Sequence, residues 1–310
     1  MTAAWSICAA RGCFGSGLPV PGFRVAAVGF FCALGAATVA AEVVVNCVGL
    51  EAGPTRTVTR IVDGETVALD DGTELRLIGV LAPRAIDAGA DPGTWPMETA
   101  AREALRGLVL GQSIELAFAG ERVDRYRRQQ AHAFLSGGEG RRWVQGHLLE
   151  HGFARAHTVA GNLACGQQLL AAERPAREAR RGLWAEAAYQ IREANKPTEL
   201  LRYRTTFQII EGKVVRVAEA RGTIYLNFDR NWRQGFAVSL RRADRQLLGA
   251  HAGDLKGLEG RSVRVRGWIE QRGGPVIDLS SGGDIEVIGD AKAPAAMQRP
   301  PQASNDAIAK

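Results

Sequence analysis

The chain has 310 residues, 46% hydrophobic and 23% charged, which is ordinary globular usage and excludes a wholly disordered or collagen-like chain. That length suggests about two domains, and a single long apolar run excludes a multi-span membrane protein. Thirty-nine Lys and Arg against 33 Asp and Glu give a formal charge of +6, which suits a polyanionic partner without requiring one.

The apolar run comes first. Residues 25–41 read VAAVGFFCALGAATVAA, Arg11 and Arg24 are the only charges before Glu42, and the run ends in Val39-Ala40-Ala41. That ending suits cleavage after Ala41, so residues 1–41 are expected to be a signal peptide of a periplasmic or secreted protein, with no stable membrane span once it is removed. The alternative is an uncleaved N-terminal anchor, because the run sits at the short limit for spanning. Cleavage would remove Cys8, Cys13 and Cys32 and leave Cys47 and Cys165. Two cysteines in an oxidising compartment suggest one disulfide, tying the mature N-terminal segment 42–56 to a later helix. No Cys/His cluster suggests a zinc site.

From residue 57 the pattern is β. Strands are expected over 57–62, 66–69 and 73–80, with Asp63-Gly64 and Asp71-Gly72 as turns. A loop around Pro83 and 88–93 leads to a helix with Pro96 at its first position, carrying Ala101, Ala104, Leu105 and Leu108 on one face. Two further strands, 113–118 and 130–135, flank a charged loop at 120–128. A short helix over 143–150 stops at Gly152. A last helix carries Leu169, Ala172, Ala176, Ala179 and Leu183, with a kink or fresh start expected at Pro175. Trp184 is assigned to the core. Trp95 is either a cleft wall that stacks a base or an anchor at the helix entry.

Residues 185–204 are polar, contain Lys196-Pro197 and read as a linker. Five β segments follow, over 207–217, 222–228, 235–240, 262–269 and 275–288, with a helix-like stretch at 244–258. Three strands, a helix and two strands is the order of a five-stranded OB barrel. Within it, Tyr225 and Trp232 with Arg230 and Arg233 are candidates for stacking single-stranded nucleic acid. Phe228, Phe236 and Trp268 are assigned to the core, and the basic residues around Lys213, Arg216, Arg264 and Arg266 to solvated outer faces. Residues 291–310 lack periodicity and are expected to be a disordered tail.

Four motifs carry a resemblance. Val62-Asp63-Gly64-Glu65-Thr66-Val67, Arg76-Leu77-Ile78-Gly79-Val80-Leu81-Ala82-Pro83, Asp124-Arg125-Tyr126-Arg127-Arg128 and Gly182-Leu183-Trp184 together resemble the staphylococcal nuclease (thermonuclease) family over residues 57–184. The resemblance implies an OB barrel with flanking helices and a phosphate-binding cleft. The expected class is therefore mainly β: two five-stranded OB-type barrels, at 57–184 and 205–290, the first with helices around it.

In that family two acidic residues bind calcium, a Glu is the general base, and two arginines neutralise the phosphoryl oxygens. Carried over, the first metal position is Glu65 and the arginines are Arg76 and Arg128. The second metal position is Leu81, the general-base position is Arg84, and Arg127 replaces the glycine of the arginine run. Calcium wants six to eight oxygens, so Glu65 alone is a weak metal candidate and no cofactor is assigned. His132 on its strand reads as a half-buried residue with a satisfied ring, with a role as a base as the alternative.

Arg76, Arg84 and Arg128 all suit phosphate oxygens through paired donors. The leading expectation is therefore an exported protein that binds nucleic acid or another phosphate-bearing ligand, with calcium-dependent hydrolysis weakened or lost. The alternatives are an active phosphodiesterase using displaced carboxylates from Asp63, Asp87, Asp91, Glu98 or Asp124, and a cell-envelope scaffold that binds protein partners.

Overall fold

The computed structural model describes residues 47, 49–84, 97–137, 140–251 and 255–288, all within one compact unit. The expected signal segment, the loop bearing Asp87, Asp91, Trp95 and Pro96, and the expected tail lie outside them. Among the described residues no helix is long and apolar enough to cross a membrane.

Threonine, valine and isoleucine favour a pleated, half-buried surface, and they fill the second half of β1 (Glu51–Ile61). β2 (Thr66–Leu69) folds back on it through Asp63 and Gly64, and β3 (Glu74–Leu77) folds back on β2. The strand expected at 73–80 is interrupted. Gly79 adopts φ +85°, where an added Cβ would collide with Leu169, so β4 (Gly79–Leu81) leaves the barrel and pairs with β8 (Arg155–His157). α1 (Glu98–Val109) buries Ala101, Leu105 and Val109 and begins at Glu98, two residues after the proposed Pro96 start.

β5 (Ser113–Phe118) and β6 (Gln129–Gly137) complete the circuit β3-β2-β1-β5-β6, which the parallel β6–β3 pairing closes into a five-stranded barrel. β7 (Gly140–Trp143), which the sequence pattern does not reveal, extends β6. α2 (Val144–Glu150) and α3 (Gly166–Glu178) pack beside the barrel, and α3 runs through Pro175 without a fresh start. Cys165, immediately before α3, is disulfide-bonded to Cys47.

Residues 185–204 are more than a linker: β9 (Arg192–Glu193) pairs in parallel with β10 (Phe207–Lys213), and α4 (Pro197–Leu200) follows it. The second sheet then adds β11 (Arg216–Ala220), β12 (Thr223–Asn227), β13 (Ala237–Arg241), β14 (Ser262–Arg272), β15 (Gly274–Asp278) and β16 (Ile285–Val287). Its order is β11-β12-β13-β15-β14-β10-β9, with β16 on β14. Only Val214 and Val215 separate β10 from β11, so one stretch of chain pairs with β14 at its start and with β12 at its end.

The barrel and the second sheet share a core and a charge cluster. Leu81, Ala176, Leu183 and Trp184 pack with Phe207 and Ile209 in one buried group. Beside it, Arg266 of β14 reaches α3. Its guanidinium donates to Glu173 at 2.9 and 3.1 Å, to Glu286 at 2.6 Å and to the Ala156 carbonyl at 2.9 Å. Arg266 is 1% exposed, so its assignment to a solvated face is wrong: α3 covers the outward side of β14 there.

Candidate functional site

The β1–β2 turn builds the first part of the site. Asp63 Oδ1 accepts the Glu65 N–H at 2.8 Å, and Gly64 lies so close to Ala82 that a Cβ would meet its methyl group. That close approach lets the Ala82 N–H donate to Glu65 Oε2 at 2.7 Å. The other oxygen, Oε1, faces Arg76 Nη2 at 3.3 Å and Arg84 Nη1 at 3.9 Å. Glu65 is fully buried. Desolvation pushes its pKa up, and the two arginines only partly offset this.

Arg128 is set by its own loop. Asp124 Oδ1 accepts the N–H groups of Tyr126 and Arg128, and Oδ2 accepts Arg128 Nε at 2.8 Å and faces Nη2 at 2.7 Å. Burial alone would raise the Asp124 pKa, but the Arg128 and Tyr126 donors hold it below the ordinary carboxylate value. Arg127 takes φ +67°, a left-handed conformation that a glycine adopts without strain. Tyr126 is 63% exposed, with the Arg125 and Arg128 guanidiniums 4.8 and 5.2 Å from its ring centroid.

These arginines line one cleft of about 500 Å³. Arg76, Arg84, Arg125, Tyr126 and Arg128 form the barrel side, and Trp268, Glu270, Asp278 and Ser280 of the second sheet stand opposite. Trp268 is 44% exposed, which corrects its assignment to the core. Behind it lie Phe207 and His157, edge-on at 5.0 and 4.9 Å. Burial, with Arg76, Arg155 and Arg266 adding to it, pushes the His157 pKa down to about 3, so this ring is neutral. His132 is buried, accepts the Trp143 indole N–H at 3.3 Å and has a pKa lowered by desolvation to about 4.

The described residues around Glu65 do not suit calcium. Among the described residues no three His, Cys, Asp or Glu side chains come together. Glu65 meets two guanidiniums, and Leu81 is buried in the shared core. Hard divalent cations need several oxygen ligands, so a lone carboxylate between two cations is the wrong donor set. Of the other carboxylates named from sequence, Asp63 is engaged by the Glu65 amide and Asp124 by Arg128.

Tyr225, Arg230, Trp232 and Arg233 come together around a separate groove of about 1010 Å³ on the second sheet. Trp232 is 61% exposed, with the Arg233 guanidinium 5.0 Å from its ring, whereas Tyr225 is half-buried. Sequence reasoning missed Trp268, Glu270 and Asp278. Strict alternation along β14 was the available signal, since Val263, Val265 and Ile269 point inward.

Residues 74–186 match the family model described as staphylococcal nuclease homologue. The matched stretch begins at β3, and the barrel's first two strands, with Glu65, precede it. A search of curated proteins found no match.

Proposed function

With a staphylococcal-nuclease-like segment as the premise, we propose that this protein binds nucleic acid or another phosphate-bearing ligand through Arg76, Arg84 and Arg128. In this reading calcium-dependent phosphodiester hydrolysis is weakened or lost. One observation carries it: the arginines converge on a single cleft, while the barrel's own carboxylates there, Glu65 and Asp124, are each engaged by an arginine. Guanidiniums match phosphate oxygens with paired donors. Loss of a general base alone costs about 10²–10⁴-fold in rate.

The second sheet is read as another OB-type barrel. The support is the circuit of pairings β10/β11-β12-β13-β15-β14-β10, with the β13–β15 step parallel. The protein is read as exported, periplasmic or secreted. The support is the Cys47–Cys165 bond, which persists in oxidising compartments.

The test is incubation of the full chain with labelled single-stranded DNA, in calcium and in EDTA. Binding should weaken steeply with salt, and Arg76→Ala should flatten the log K against log salt slope by about 0.7, one single-strand phosphate contact. The DNA should stay intact in both buffers. Calcium-dependent cleavage that disappears in Arg128→Ala would establish the rival reading, an active nuclease, for which Glu270 and Asp278 on the cleft wall are the acids at hand. Salt-independent DNA binding, or none, would remove the phosphate reading.

Glu65 adds a pH signature. Its carboxylate competes with phosphate for Arg76 and Arg84, and its pKa is raised. Protonation as pH falls toward that raised value weakens its hold on Arg76 and Arg84, so affinity should rise as pH is lowered. Glu65→Gln keeps an acceptor for the Ala82 N–H; at neutral pH it should bind DNA roughly tenfold tighter and lose the acid-side gain. An unchanged pH profile in this variant would show that Glu65 does not compete.

A further inference from the structure

β14 connects the cleft with the aromatic groove. Arg264, Arg266, Trp268, Glu270 and Arg272 alternate with inward-facing Val265 and Ile269, so they share one face of the strand. Arg266 is buried under α3; beyond it Trp268 and Glu270 line the arginine cleft, and Arg272 lines the groove of Trp232. The ridge between the two is an ion-pair cluster. Arg272 Nη1 donates to Asp278 Oδ1 at 2.9 Å and Nη2 to Glu270 at 2.5 Å, and Asp278 lines the cleft.

Two residues along a strand advance by about 6.6 Å, so Trp268 and Arg272 lie roughly 13 Å apart along β14. That is a distance a few nucleotides of single strand can cross, with bases stacking on aromatic side chains while a basic groove tracks the backbone. Each end of this path carries both parts. The cleft has Trp268 and Tyr126 with Arg76, Arg84 and Arg128; the groove has Trp232 with Arg230 and Arg233. Trp268 is held edge-on by Phe207 and His157, which fixes its ring before a ligand arrives.

We propose that the cleft and the groove are two ends of one track for single-stranded nucleic acid, crossing the outer face of β14, with Trp268 as the base platform beside the arginines. This rests on the phosphate-binding reading above. It adds that the second sheet supplies part of that site and that the ligand runs from one barrel onto the other sheet.

The test uses the full chain with a thymidine dinucleotide, too short to reach both ends, and an oligothymidylate of about sixteen nucleotides, the upper footprint of such folds, and with an abasic strand of the longer length. The long oligomer should bind at least tenfold tighter than the short one, since joining two sites makes the second contact intramolecular. Trp268→Ala should weaken thymidylate binding about 5- to 150-fold and leave the abasic strand unaffected, and Trp268→Phe should retain most of the affinity. Trp232→Ala should weaken the long oligomer and leave the short one unchanged.

Equal affinities for both lengths, or two long oligomers bound per chain, would overturn the track. Loss of abasic binding in Trp268→Ala would make Trp268 a purely structural residue and also overturn it. These outcomes leave the arginine cleft standing, whereas a wild-type chain that binds no oligonucleotide removes both proposals.

Discussion

Arg266→Ala should destabilise the protein by about 3–5 kcal/mol, because it removes one of the two cations that hold the buried Glu173. Glu173 is 0% exposed; Arg266 gives it two bonds and also reaches Glu286 and the Ala156 carbonyl, while Arg177 adds a bond at 2.5 Å. For a protein of this size that corresponds to a fall of roughly 6–20 °C in Tm, readable by calorimetry. The acid limb should change as well. Burial alone would raise the Glu286 pKa, but Arg266, Arg177 and Arg264 hold it below 4.5. A depressed folded pKa means that its contribution is complete above the unfolded value and is lost as pH falls through the folded one. That stretch of acid sensitivity should shrink in Arg266→Ala. A Tm within a degree or two of wild type would mean that the cluster opens to water and carries little.

Cys165→Ser should cost about 2–5 kcal/mol, since the Cys47–Cys165 bond closes 118 residues of chain and cross-links across long loops restrict the unfolded ensemble most. Denaturant titration with and without reductant measures it. The wild-type midpoint should fall on reduction to that of the variant, and the variant should not respond. A wild-type midpoint indifferent to reductant would show that the bond adds nothing to stability. The bond also fixes the start of α3, so its loss reaches the Glu173 end of the charge cluster.

The barrel was legible because its signals are local. β-Branched runs broken by Asp-Gly turns mark β1 to β3, and the motifs around Glu65 and Arg76 point to the group that the fold assembles from Glu65, Arg76 and Arg84. What failed depended on distant partners. Arg266 read as a solvated residue because its acid lies 93 positions away on a helix. Trp268 read as core because about half of the aromatic rings must fill a barrel, although the alternation from Val263 puts it outside. β8 is three residues long and exists only because Gly79 turns β4 toward it; nothing in so short a run announces a strand. The strand inside 185–204 was hidden for a similar reason, since β9 becomes a strand only where β10 accepts it.

Leu81 stands where the resemblance to staphylococcal nuclease implies an acid, and it packs against Phe207 and Ile209 at the junction with the second sheet. Restoring an acid there would bring an ionisable group into the hydrophobic joint that unites the two halves of the molecule.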